Sequence, residues 1–344
     1  MEKKSWEKKS RVQQSDEYFQ WVSFRGVPIY VVRDDLFTIE GHFAGEHALA
    51  GNKARKLYYY LQQKFHSISR VVSYGSAQSN MLYSLTVLAK IKGWQLDFYT
   101  DRIPKNLKEN PRGNYGAALS LGANIKCVPL GQGQSELNPK APATAIAEQY
   151  LQDTVMTETP DALYIPLGGA GPEAEPGLRI LAKQINAKVE ENRLQNPKLM
   201  LPSGTGVSAF YLQKHLPFEV LTCACVSSEE YLEEQFEKLG DSSVRPTILP
   251  SLLDLSGHPR KFQFGKLYSE FFNLWEELKR DTGIVFELLY DPLGWMHMQA
   301  YIEQYRASKT GTAPDMIYLH QGGQLGNETM LQRYSRKRDT LERL

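Results

Sequence analysis

At 344 residues the chain is long enough for two compact lobes with apolar cores of their own, at ~100–200 residues per domain. Its 40 basic residues against 39 acidic ones give no overall field to draw nucleic acid or an anionic membrane, so small soluble molecules are the expected partners. No run approaches the ~18 apolar residues of a membrane span, and Cys127, Cys223 and Cys225, an odd count with no secretory apolar segment, point to a reduced cytoplasm.

Met1 to Arg11 alternate lysines with Ser, Glu and a Trp and read as a solvated arm. Val27 to Leu36 is a β-rich run closed by the charged turn Arg33-Asp34-Asp35. Gly51-Asn52-Lys53-Ala54-Arg55-Lys56-Leu57 puts a lysine in a tight Gly-Asn turn that opens a helical pattern. Val71 to Asn80 gives a short strand and a small polar loop, followed by a helix through Lys92. Further strands are expected at Gln95–Thr100, Ile125–Pro129, Ala162–Pro166, Leu199–Pro202, Val220–Val226, Ile284–Leu288 and Met316–Leu319. Helical spacing falls at Met81–Ile91, Asn114–Leu121, Ala143–Gln152, Gly177–Val189, Val207–Leu216, Tyr231–Lys238, Lys266–Thr282 and Met298–Ser308. Leu130–Lys140 and Asn192–Lys198 read as loops, and Lys238–Lys261 as a Pro/Ser-rich surface stretch. The alternation predicts an α/β protein with mostly parallel sheets flanked by helices and ligands at strand C-terminal ends. Cys223 and Cys225 share a strand face as core thiols, and without zinc spacing no metal is expected.

Chemistry concentrates at Lys53. An amine on a rigid turn at a helix start, desolvated and near positive backbone dipoles, loses its proton readily and can form a Schiff base with an aldehyde cofactor. Taken alone, the segment reads rather as a solvated basic helix start. The neighbouring motifs decide. Val27-Pro28-Ile29-Tyr30-Val31-Val32-Arg33-Asp34-Asp35-Leu36, Gly51-Asn52-Lys53 and Gly75-Ser76-Ala77-Gln78-Ser79-Asn80 resemble the 1-aminocyclopropane-1-carboxylate (ACC) deaminase and D-cysteine desulfhydrase family of pyridoxal-phosphate enzymes. Gly113-Asn114 with Leu121-Gly122-Ala123, Ile165-Pro166-Leu167-Gly168-Gly169, Ser203-Gly204-Thr205-Gly206-Val207-Ser208 and His320-Gln321-Gly322-Gly323 extend the resemblance in order, over residues 25 to 326.

The resemblance implies a tryptophan-synthase-β-like fold of two open twisted sheets. Residues 1–58 and 170–344 would form the large lobe and 59–169 the small one, with the active site between them. It makes Lys53 the Schiff-base lysine in preference to Lys56, with Asn52 beside it. Asn80 would bond the 3-oxygen of pyridoxal 5'-phosphate, and Gly204, Thr205, Gly206, Val207 and Ser208 would cradle the phosphate on backbone N–H groups and hydroxyls. Gln78 and Ser79 would receive the substrate carboxylate, with Ser79 also catalytic. Tyr268 lies in an aromatic region tied to the substrate, and Gln321 would face the pyridine nitrogen.

Two departures bear on the substrate. Where the family has Asp-Pro-Val-Tyr, this chain has Asp291-Pro292-Leu293-Gly294-Trp295, without the tyrosine, and a Thr of the C-terminal motif is Gln321. Elimination or deamination of a small amino acid of the D-cysteine type, giving a keto acid and ammonia, is therefore expected ahead of cyclopropane opening. A racemase, a β-replacement enzyme and a cofactor-binding protein without turnover remain alternatives on this fold. The family implies a cytoplasmic homodimer that binds neither nucleic acid nor membrane.

Overall fold

The computed structural model describes residues 17–40, 48–129, 143–240, 243–308 and 313–341. The expected loop at Leu130–Lys140 and the N-terminal arm lie outside them. The described chain divides into two compact units, each with its own sheet.

The larger unit takes the chain up to Thr38, Ala50–Tyr58 and Gly171 onward. Strands β1 (Phe19–Phe24) and β2 (Val27–Arg33) form an antiparallel hairpin at one edge of a sheet. The smaller unit contributes β3 (Thr38–Glu40), β4 (Ala48–Ala50), β5 (Arg70–Tyr74), β6 (Gln95–Thr100), β7 (Asn124–Cys127) and β8 (Ala162–Tyr164), the first two being shared with the larger unit at their ends. Back in the larger unit follow β9 (Pro197–Ser203), β10 (Val220–Ala224), β11 (Thr247–Ile248) and β12 (Asp315–His320). Its sheet runs β1-β2-β12-β9-β10-β11, all parallel from β2 onward. Central strands covered on both faces must be apolar throughout, and Val31, Val32, Leu199, Met200, Leu201, Val220, Leu221, Ile317 and Leu319 are all buried. Because β2, β9 and β12 are parallel, Asp34, Gly204 and Gln321, which follow them, emerge along one edge of the sheet.

The smaller unit carries a parallel sheet in the order β7-β6-β5-β8. Of the stretch before Gly51, residues 39–40 and 48–49 group with this unit.

One expected strand is not a strand. Ile284–Leu288 has no ladder partner among the described residues. Its backbone is bonded by side chains instead: the Leu288 N–H donates to Asn327 Oδ1 at 2.7 Å, and the Phe286 carbonyl accepts from Asn327 Nδ2 and Trp275 Nε1. β-branched and aromatic composition fits a buried extended segment whether or not a neighbouring strand exists. The next helix begins at Asp291, seven residues before the Met298 expected from spacing, because Pro292 sits in the first turn where no N–H is needed. The helices Lys105–Glu109 and Asn327–Leu341 went unread.

Candidate functional site

The helix carrying Lys53, Gly51–Lys56, is too short to persist alone. A buried charge cluster holds it. Arg55 donates to Asp34 Oδ1 at 2.7 Å and to the Tyr18 hydroxyl at 2.9 Å, Tyr18 donates to the same carboxylate, and the guanidinium lies 3.6 Å from the Phe37 ring centre. Arg55 and Asp34 are almost fully buried, so each compensates the other's lost hydration. Helix Glu175–Glu191 presses on the same segment through Gly177, where a Cβ would collide with the Arg55 carbonyl.

Gln321 joins the separate motifs. Its carbonyl accepts the Asn52 N–H at 3.0 Å, its Oε1 accepts from Asn52 Nδ2 at 2.8 Å, and its Nε2 donates to the Pro202 carbonyl at 2.9 Å. Asn52 in turn accepts from Lys53 Nζ through Oδ1 at 3.0 Å. The approach needs Gly51, which has φ +55° and whose Cβ would strike the Gln321 carbonyl oxygen. Gln321 thus bridges the lysine turn and the end of β9. Both ends of its amide are engaged in this bridge, Oε1 by Asn52 and Nε2 by Pro202.

Past β9, Gly206 (φ +72°) caps helix Val207–His215, whose first N–H groups have no intrahelical acceptors. Ser208 in the first turn is 5% exposed, and its Oγ has no hydrogen-bond partner among the described residues. A buried hydroxyl without a partner costs stability unless something else bonds it.

Sequence reasoning missed Glu287 and Tyr290. The signal was a lone carboxylate inside the apolar run Ile284-Val285-Phe286-Glu287-Leu288-Leu289. Glu287 Oε2 accepts the N–H groups of Leu289 (2.9 Å) and Tyr290 (2.7 Å), while its own N–H donates to Asp291 Oδ2 at 2.8 Å. Burial, reinforced by the Asp291 charge, pushes the Glu287 carboxyl up to about 8. Burial pushes the Lys53 amine down to about 8, and the Glu287 charge opposes that fall. Lys56 is also lowered well below the ordinary lysine range, first by burial and then by Lys53.

In the smaller unit, Ser79 caps helix Asn80–Lys92 by accepting the Met81 N–H at 3.0 Å. Asn114, buried, donates to Asn80 Oδ1 (2.6 Å) and to the Gln78 carbonyl (3.1 Å), fixing the loop from a neighbouring helix. Gln78, Ser79 and Asn80 are therefore together. The Tyr268 hydroxyl accepts the Gln263 N–H at 2.9 Å, and its ring packs with Phe262 and Phe271.

No protein-family model and no curated protein matches the chain. Solved structures do. An ACC deaminase homologue aligns over 89% of this chain and 89% of its own, with TM-score 0.63 and 20% identity. A threonine deaminase from T.th. aligns over 90% and 89%, with TM-score 0.54 and 12% identity. The fold is tryptophan-synthase-β-like. A hydrogen sulfide-producing enzyme from Fusobacterium nucleatum also shares it, over 90% of this chain and 96% of its own, at TM-score 0.54 and 13% identity.

In this tryptophan-synthase-β-like fold, the residues present fit pyridoxal phosphate. The Gly204–Ser208 loop offers a helix N-terminus and an unpartnered buried hydroxyl to a phosphate, and Lys53 offers an amine of lowered basicity to an aldehyde.

Proposed function

We propose that this protein is a pyridoxal-phosphate-dependent enzyme that eliminates the β-substituent of a small amino acid, with D-cysteine as the type of substrate. The observation that carries the reading is the Gln321 bridge, which places the Lys53 turn beside the strand end leading to the Gly204–Ser208 loop. When bound, pyridoxal phosphate would supply an electron-withdrawing ring that makes the α-hydrogen of an attached amino acid acidic. Lys53 would hold the aldehyde and then carry a proton on Nζ, a role suited to an amine lowered to about 8. Glu287 would balance that charge across the site. The Gly204–Ser208 loop would anchor the phosphate, and Asn80 would orient the 3-oxygen. Ser79 and Gln78, on the loop braced by Asn114, would receive the substrate carboxylate.

For D-cysteine and water the products would be pyruvate, ammonia and hydrogen sulfide. That the Fusobacterium neighbour is described as producing hydrogen sulfide supports thiol elimination, and the ACC deaminase homologue supports release of ammonia. Cyclopropane opening offers no α-hydrogen to remove and requires further acid–base groups. The test is keto-acid and ammonia release by the cofactor-loaded protein over D- and L-amino acids. Turnover of D-cysteine or β-chloro-D-alanine, with little on 1-aminocyclopropane-1-carboxylate, is expected. Efficient turnover of the cyclopropane acid alone would reverse the choice, and a cofactor absorbance without turnover of any substrate would leave a binding protein. Borohydride trapping should fix the cofactor on Lys53, and an adduct on Lys56 would sink that assignment. We further take the protein to be a homodimer, which sedimentation equilibrium would test.

A further inference from the structure

Gly294 stands where the resemblance places a tyrosine, and the packing shows why no side chain fits. A Cβ on Gly294 would lie 2.7 Å from the Tyr318 hydroxyl and 3.1 Å from Pro202 Cδ. The helix Asp291–Ser308 therefore lies flush on β9 and β12 at this point. Trp295 turns into the core, 5.3 Å from the Phe24 and Phe286 rings and 4.8 Å from Tyr318.

The phenol that does reach the strand ends is one turn earlier, on Tyr290, whose carbonyl accepts the Gly294 N–H at 3.2 Å. Its hydroxyl lies 3.3 Å from where a Cβ on Gly204 would stand. We propose that Tyr290 is an anion-binding residue of this site, its hydroxyl donating a hydrogen bond to the phosphate held by the Gly204–Ser208 loop. The inference rests on the reading that this loop takes the cofactor phosphate.

Three features support it. The ring is positioned: the Tyr290 N–H is tied to Glu287 Oε2 at 2.7 Å, and the ring rests 5.1 Å from that of Phe264. The hydroxyl is a permanent donor, since burial first, then the nearby Glu287, Cys225 and Tyr231, push its ionisation far above the ordinary range. The loop also presents a buried donor, Ser208 Oγ, with no partner among the described residues, beside the free N–H groups of the same helix start. Glycine at 204 then has a packing reason: a methyl group would fill the gap between the phenol and the loop, against Tyr290 and Val226.

The experiment compares pyridoxal phosphate with phosphate-free pyridoxal, titrated calorimetrically into cofactor-free parent, Tyr290→Phe and Gly204→Ala. The parent should prefer the phosphorylated form strongly. Loss of one hydrogen bond to a charged group should weaken Tyr290→Phe about tenfold for pyridoxal phosphate and leave pyridoxal within about twofold. Gly204→Ala should show the same selective loss with the tyrosine intact, which keeps the test valid if Tyr290→Phe folds poorly. Unchanged binding of both forms by the variants, or an equal loss of both, overturns the inference. A parent that binds the two forms equally would instead overturn the phosphate reading of the loop.

Discussion

The Lys53 amine should titrate near pH 8 in the cofactor-free protein, against 10.5 for an ordinary lysine. At pH 7 the neutral fraction of an ordinary lysine is about 3 in 10,000; for a pKa near 8 it is about one in ten, roughly 300-fold more nucleophile. Glu287→Gln removes the charge that favours the protonated amine, so the midpoint should fall below 8 in that variant. The assay is pulsed acylation across about pH 6 to 11 with peptide mass spectrometry, using Lys105, whose side chain is 89% exposed, to normalise reagent. A Lys53 midpoint above about 10 would refute the reasoning, because it would mean the amine is hydrated in the folded protein. A midpoint that rises in Glu287→Gln would show that the carboxyl does not act on this lysine.

Glu287, raised to about 8 from 4.5, is disfavoured as an anion in the folded state, so its burial should cost stability progressively as pH rises through that window and fully above it. Glu287→Gln keeps an oxygen for the Leu289 and Tyr290 amides. Its melting temperature should gain on the parent from pH 5 to pH 9, and a pH-independent gap would contradict this. Ser208→Ala should leave the ligand-free protein as stable or slightly more stable while cutting affinity for pyridoxal phosphate about tenfold, and the reverse pattern would make the hydroxyl structural. Asp34→Ala strands the Arg55 guanidinium and should cost about 3–5 kcal/mol in urea unfolding, whereas a loss under about 1 kcal/mol would mean that water reaches the arginine. Gly177→Ala should cost about 1–3 kcal/mol through overpacking on the Lys53 helix, checked by the same unfolding curve.

By itself the sequence determined the elements that local chemistry specifies. Continuous apolar runs announced the central parallel strands, and the small polar loop Gly75–Asn80 before a helical pattern announced the helix that follows it. Glycines with polar neighbours marked the Gly204–Ser208 turn, and the resemblance selected Lys53. Tertiary structure decided what depends on partners distant in the chain. Ile284–Leu288 has strand composition, but only the fold brings Asn327 and Trp275 to its backbone in place of a neighbouring strand. Gln321 reads as a substitution in a motif until Asn52 and Pro202 are seen to use both ends of its amide. Gly294 reads as a missing tyrosine until the Tyr318 hydroxyl and Pro202 are found against it, and Tyr290 carries no signal until its hydroxyl is found near Gly204. A residue's type fixes what bonds it can make, but burial and the positions of distant groups fix which ones it does make. That is why the lowered basicity of Lys53 and the raised acidity threshold of Glu287 appear only in the folded chain.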